Sequence, residues 1–314
     1  MHGWNDALMI VTVTLNPMLD KTVEIGPLRR GEIHRASRVG SVVGGKGVNV
    51  ARQLERFGVP ARATGLLGGE VGLQLVRLLS AEGLRHDFLR VAGMTREGVT
   101  YREPDNTWTA IFEPPHQVTA EEAEKMVLHC SSLLGGASWV VCSGSSPCRE
   151  TDGVYARIVA EAREKGCRSY CDSYGDAFRQ ALRSRPTVVQ CNRAELEATL
   201  GRSIATEEEI RDALKGIIDS GIEMAVVTDG SRPSYAAARG RVWKIVPPAV
   251  EAVNPTGSGD CFAAGVLRDL EKGRPFEAAL KFGAAAGAAN AQRWDVATVS
   301  EGEAEALVPA VNIL

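Results

Sequence analysis

The residues best equipped for chemistry lie at 254–260, which read N-P-T-G-S-G-D and lead into the apolar run C-F-A-A-G-V-L. The consecutive N–H groups of Gly257, Ser258 and Gly259 would form a nest at a helix N-terminus. Such a nest stabilises negative charge developing on a transferring phosphoryl group. Asp260 follows directly and would place a carboxylate at the same reacting centre. The competing reading is an Asp that caps a helix for about 1 kcal/mol, yet a cap has no need of flanking glycines. Nor is this a dinucleotide fingerprint, because Phe262 stands where G-x-G-x-x-G requires its third glycine.

A second glycine-rich stretch, G-G-K-G-V-N, occupies 44–49. Glycines let the backbone approach a ligand closely, and a following helix offers free N–H groups to an anion. Counted from Gly40, G-x-x-x-x-G-K is complete, but Gly47 replaces the Ser or Thr with which a P-loop holds magnesium. A tight strand-to-helix turn explains these glycines equally well, whereas Asn49, an amide in the first turn, suits hydroxyl binding. Asn192 and Glu195 stand three apart in N-R-A-E, on one face of a helix start. That pair would orient a water shell around magnesium, an ion that takes few direct protein ligands. It equally satisfies an ordinary capping box. Asp20 falls just past the first predicted strand, where open parallel sheets bind ligands; it would hold ligand hydroxyls or simply close a turn.

These residues require a scaffold of strands and helices. The chain has 314 residues, 44% hydrophobic and 24% charged, the mix of a globular protein with ample core. Its 36 Lys and Arg against 39 Asp and Glu leave a net charge of −3, without the general basic footprint of a nucleic-acid binder. Seven cysteines with no C-x-x-C pair fit neither a disulfide scaffold nor a zinc ribbon, and suggest reduced thiols in the cytoplasm. No apolar run approaches the roughly 20 residues that span a membrane. The apolar stretch at 7–15 lacks the basic flank and cleavage site of a secretory signal.

The spacing predicts a buried strand over 7–15 and further strands over 63–67, 139–142, 168–172, 223–228, 234–238 and 241–246. It predicts helices over 47–57, 71–82, 119–134, 152–165, 175–183, 193–199, 206–219, 258–272 and 275–291. Strands alternating with helices imply a parallel sheet covered on both faces. The β-rich stretches 21–43 and 98–112, the latter with a turn at 104–106, break this alternation. They read as one small β appendage on a single domain spanning 1–314.

In this order, the motifs resemble those of the PfkB branch of the ribokinase superfamily. N-P-T-G-S-G-D-C-F-A-A-G at 254–265 resembles its second signature, and G-G-K-G-V-N-V-A-R at 44–52 its first. T-L-N-P-M-L-D at 14–20 resembles the opening of 1-phosphofructokinases and tagatose-6-phosphate kinases. T-R at 95–96, R-A at 35–36, G-S-S-P at 144–147 and D-S-Y-G-D-A at 172–177 are similar to further family segments. Three places depart from the pattern. Gly98 replaces an Asn, Gln190 and Cys191 replace the Lys and Pro of K-P-N-x-x-E, and Pro233 replaces the second glycine of T-x-G-x-x-G.

The resemblance implies an α/β fold, a ribokinase-like three-layer sandwich with a mostly parallel central sheet and a small β-sheet lid. It implies an ATP-dependent kinase of a ketohexose phosphate, foremost fructose 1-phosphate giving fructose 1,6-bisphosphate. Tagatose 6-phosphate, fructose 6-phosphate or an unphosphorylated sugar are the alternatives. On this resemblance Asp260 is the base, while Gly257, Ser258 and Gly259 bind the developing charge. Arg35, Lys46 and Arg96 hold the substrate phosphate, and Asp20, Gly44, Gly45, Asn49 and Ser145 meet the sugar. Thr228, Gly230 and Asn192, with Gly257 and Gly259, meet the nucleotide, and Asn192 with Glu195 organises magnesium (Mg2+) through water. The lid would exclude water and pair two subunits into a homodimer, with no nucleic-acid or membrane partner. A sugar-phosphate sensor without turnover is the reading of another class, favoured by Gln190 and Pro233 and opposed by Asp260.

Overall fold

The computed structural model describes residues 9–105 and 107–314; positions 7 and 8 of the first predicted strand, and Asn106 in the predicted turn, lie outside the described residues. The chain opens with β1 (Met9–Thr14), all six residues of which are buried. There follow β2 (Met18–Glu24), β3 (Arg38–Gly44), α1 (Lys46–Arg56), β4 (Ala61–Gly68), α2 (Gly69–Ala81), β5 (Leu89–Val91), β6 (Arg96–Arg102), β7 (Trp108–Phe112) and α3 (Ala120–Leu133). Then come β8 (Ala137–Ser143), α4 (Val154–Glu164), β9 (Arg168–Asp172), α5 (Gly175–Arg183), β10 (Val188–Asn192), α6 (Arg193–Leu200) and α7 (Glu207–Asp219). The last elements are β11 (Met224–Thr228), β12 (Ser234–Ala238), β13 (Arg241–Val246), α8 (Ser258–Glu271), α9 (Phe276–Ala291), α10 (Glu301–Leu307) and β14 (Asn312–Ile313).

Ten strands join in the order β14-β13-β12-β11-β10-β9-β8-β1-β4-β5. Neighbours from β5 through to β11 run parallel, and β12, β13 and β14 add an antiparallel edge. Successive side chains of a strand point to opposite faces. In β8, Trp139 and Val141 enter one core with residues of α1, α8 and α9, while Val140 and Cys142 enter another with residues of α3, α4, α5 and α7. The product is a three-layer α/β sandwich. No helix among the described residues is long and apolar enough to cross a membrane.

Local signals account for most element ends. Thr119 accepts from the Glu122 N–H and Glu122 accepts from the Thr119 N–H, the capping box that their spacing predicts. A similar box, Ser300 with Glu303, starts α10, a helix absent from the sequence reading. β5 and β14 were also absent from it, because three and two residues are too few to show a period.

A second sheet, ordered β3-β2-β6-β7, is assembled from two separated stretches of chain. β2 pairs antiparallel with β3 and parallel with β6, which pairs antiparallel with β7. It begins earlier than predicted, at Met18. Asp20 is therefore a strand residue, opposite Val42 of β3 and Gly98 of β6, rather than part of a turn after β1.

Candidate active site

A cavity of about 1110 Å3 lies where β1, β8, β9, β10 and β11 end, beneath β2, β3 and β6. Its place at the carboxyl ends of parallel strands is where open α/β sheets bind ligands. Its walls bring together Asp20, Gly44, Gly45, Lys46, Asn49, Arg96, Ser145, Asn192, Glu195, Thr228, Gly230 and all of 257–260. Arg35 is not among them. It is exposed in the connection between β2 and β3, so within one copy of the chain it does not join Arg96 as the sequence reading expects.

At one end stands α8. Its N-cap, Gly257, has φ 77 and no side-chain cap, and a Cβ there would run into Val296. The first N–H groups of a helix have no internal partner. The expected row of three donors is reduced to two, because the Ser258 N–H turns back to the Pro255 carbonyl at 3.2 Å. Those of Gly257 and Gly259 find no acceptor among the described residues. Asn290, in the alanine-rich α9, steadies this loop by donating Nδ2 to the Thr256 carbonyl at 2.8 Å and to Ser258 Oγ at 3.2 Å. No sequence signal marked it.

Asp260 is 5% exposed, and its Oδ2 accepts from Asn49 Nδ2 at 2.8 Å. Burial raises its pKa to about 7, with Asp172 and Glu195 adding to the rise and Lys46 and Asn49 opposing it. An ordinary Asp, near 3.9, would be fully ionised at neutral pH. Burial therefore replaces the fully charged carboxylate expected from sequence with one poised at neutrality, where a general base is most effective.

Lys46 does not stand free for a phosphate. Its Nζ lies 2.8 Å from Asp172 Oδ1 and 2.7 Å from Glu195 Oε1. Burial opposes its charge, but Asp172, Glu195 and Asp260 outweigh that and hold its pKa above the usual lysine range. Asp172 is raised chiefly by its own burial, against the pull of Lys46. Gln190 Nε2 reaches Asp172 Oδ2 at 3.3 Å and the Gly259 carbonyl at 3.0 Å, while Tyr170 Oη donates to Gln190 Oε1 at 2.6 Å. Sequence reasoning gave Asp172 no role; it was visible only as the first residue of D-S-Y-G-D-A.

Asn192 and Glu195 form the capping box: Asn192 Oδ1 accepts from the Glu195 N–H, and Glu195 Oε2 from the Asn192 N–H, both at 2.9 Å. The other oxygen of Glu195 is taken by Lys46. Asn192 Oδ1 and both Glu195 oxygens are thus already engaged. No group of three or more His, Cys, Asp and Glu among the described residues could hold a metal. Each of these oxygens accepts one hydrogen bond and keeps a second acceptor site, so the pair remains able to orient waters around a magnesium ion.

At the opposite end, Asp20 Oδ1, Asn16 Oδ1 and Arg96 Nε are buried without partners among the described residues, while Asn16 Nδ2 donates to Ser145 Oγ at 3.0 Å. Burial raises Asp20 and lowers Arg96. A buried polar group left unpaired costs about 1–3 kcal/mol, and such groups are usually satisfied. Two acceptors and a guanidinium around one cavity suit a polyhydroxylated ligand carrying an anion. Among the described residues, Lys46 and Arg96 are the two cationic residues of the walls. Beside Thr228 and Gly230, the walls turn apolar with Ile245, Val246, Pro247, Pro248, Phe262 and Ala288. Sequence reasoning missed this compartment, which suits a flat ring.

The sequence model described as pfkB family carbohydrate kinase matches residues 8–301. The chain is similar to a possible 1-phosphofructokinase of Thermotoga maritima, at 27% identity over 98% of this chain and 99% of that one, with TM-score 0.89. It is similar to phosphofructokinase-2 of Escherichia coli in complex with fructose-6-phosphate, at 25% identity over 96% and 98%, with TM-score 0.86. The ribokinase of Arabidopsis thaliana complexed with ribose and ATP, at 22% identity over 95% and 98% and TM-score 0.75, shares the fold.

Proposed function

The chain belongs to the pfkB family of carbohydrate kinases, and within that family we propose that it is an ATP-dependent kinase of a phosphorylated ketohexose, foremost fructose 1-phosphate. The observation that carries this reading is the set of unpartnered atoms on Asp20, Asn16 and Arg96, in one cavity with Asp260 and the start of α8. A free sugar offers Arg96 only a neutral hydroxyl acceptor, whereas a sugar phosphate satisfies the two acceptors and also neutralises the guanidinium, which has no carboxylate partner among the described residues. The likeness to a possible 1-phosphofructokinase supports the preference among ketohexose phosphates.

Asp20, Asn16 and Ser145 orient the sugar hydroxyls, and Arg96 holds the phosphate already present. The apolar compartment takes the base of ATP and brings its terminal phosphate to Gly257 and Gly259. A sugar hydroxyl then attacks the γ-phosphorus. The new O–P bond forms as the bond to the β–γ bridging oxygen breaks, the proton passes to Asp260, and ADP departs. Asn49 occupies Oδ2 of Asp260, leaving Oδ1 to meet the hydroxyl. Positioning and charge stabilisation dominate such a transfer, so a base of modest strength suffices.

We further read 1–314 as one kinase domain whose β3-β2-β6-β7 sheet is a lid over the sugar. Val39 and Ile111 expose large apolar side chains on one face of that sheet, and Trp108 and Phe112 on the face that carries Asp20. Pairing two lids into a homodimer would cover the Val39 and Ile111 face.

The test is release of ADP from ATP, in the presence of magnesium, with fructose 1-phosphate, fructose 6-phosphate, tagatose 6-phosphate, fructose and ribose, in wild type and Asp260→Asn. Turnover on one ketohexose phosphate, reduced more than about a hundredfold in the variant, is the expected result. Turnover on free sugars alone would overturn the phosphate assignment. Tight sugar-phosphate binding with no turnover would identify a sensor.

A further inference from the structure

Arg52 of α1 is 8% exposed and has no part in the chemistry above. Its guanidinium is divided among three acceptors. Nε donates to Glu82 Oε2 at 2.7 Å, Nη2 to the Val43 carbonyl at 3.0 Å, and Nη1 to Asn49 Oδ1 at 2.9 Å. Asn49 lies one turn earlier on the same helix, and its Nδ2 is the group that donates to Asp260 Oδ2.

A guanidinium can only donate, whereas an amide side chain has one accepting and one donating end. Arg52 therefore dictates which way Asn49 faces, with the oxygen toward Arg52 and the NH2 toward Asp260. Turned round, the amide would set donors against donors at Arg52 and an oxygen against a carboxylate oxygen at Asp260. Arg52 is itself fixed from outside α1, by Glu82 at the end of α2 and by the backbone of β3.

We propose that Arg52 is a positioning residue for the reaction, locking the Asn49 amide so that a hydrogen-bond donor always faces the base and favours its ionised form. The inference rests on the reading of Asp260 as the base. Asp260 is faced by Asp172 from β9 and Glu195 from α6, which disfavour its charge, and by Lys46 and Asn49 from α1, which favour it. Arg52 acts on it through Asn49.

The test is the acid limb of the pH profile of kcat/KM in Arg52→Lys, Arg52→Gln and Arg52→Met. Lysine only donates, glutamine presents either end, and methionine does neither. The limb keeps its wild-type position in Arg52→Lys and moves to higher pH in Arg52→Gln and further in Arg52→Met, by about one to two pH units at most for one lost charge-assisted bond. Asn49→Ala gives a similar displacement, and adding Arg52→Met to it gives none beyond, because both act through one bond. If Arg52→Met does not fold, the comparison of Arg52→Lys with Arg52→Gln decides.

A limb unmoved in the folded Gln and Met variants, or displacements that add in the double variant, overturns the proposal. The titration of Asp260 can also be followed without turnover, by carboxyl infrared absorption in wild type minus Asp260→Asn. A titration that moves with Arg52 in a protein that phosphorylates no sugar would leave the orientation lock standing and overturn the kinase reading instead.

Discussion

The guanidinium of Arg102 stacks 4.0 Å from the ring centre of Trp294 and donates Nη2 to the Val253 carbonyl at 2.9 Å. Arg38 of β3 lies over the same ring at 4.8 Å. The Trp294 carbonyl accepts from Asn254 Nδ2 at 3.0 Å, and Asn254 Oδ1 accepts from the Thr256 N–H at 3.1 Å, one residue before Gly257. The small sheet is thereby tied to the loop that opens α8. Arg102→Ala should cost roughly 2 kcal/mol in urea unfolding, from the lost stacking and the lost hydrogen bond. It should also weaken ATP binding, measured by calorimetry. Unchanged ATP affinity in a destabilised variant would show that the tie serves stability alone.

The raised pKa of Asp260, about 7, predicts a pH profile. Below that value the base is protonated, so kcat/KM should fall about tenfold per pH unit, and above it the rate should level off. Neighbouring charges set the sign of each displacement. Asp172 raises the pKa of Asp260, so Asp172→Asn should move the limb to lower pH. Lys46 lowers it, so Lys46→Met should move the limb to higher pH. Profiles displaced in the same direction by both substitutions would contradict this electrostatic account.

Arg96 is assigned to the phosphate of the substrate. Arg96→Gln should raise KM for the sugar phosphate by roughly 10- to 150-fold, the range for one hydrogen bond to a charged group. KM for ATP should change little. Steady-state kinetics with both substrates varied would separate the two, and an equal rise in both would move Arg96 out of the sugar subsite.

The pairing of lids is testable by sedimentation. Ile111, 62% exposed on β7, is an apolar side chain facing water on the small sheet. Wild type should sediment as a dimer at micromolar concentration and Ile111→Lys as a monomer with unchanged far-ultraviolet circular dichroism. A monomeric wild type would remove the homodimer.

The alternation of strands and helices was legible in the sequence because periodicity, caps and glycine stops act over a few residues. For the same reason N-P-T-G-S-G-D and G-G-K-G-V-N were legible as loops that open a helix, since neighbours in sequence are neighbours at a helix start. What the sequence determined, then, was the order of the longer elements, the donors of Gly257 and Gly259, the carboxylate of Asp260 and the amide of Asn49. Tertiary structure decided which partners they meet. Lys46 and Asp172 are 126 residues apart and Lys46 and Glu195 149, so no local pattern shows that this lysine is held by two carboxylates. The reach of Gln190 to Gly259, the exclusion of Arg35 from the cavity and the apolar compartment beside Thr228 depend likewise on how the layers stack. Even the raised pKa of Asp260 is a tertiary property. Its pKa follows from burial and from charges brought in by β9, α1 and α6, which only the packed sheet assembles around one carboxylate.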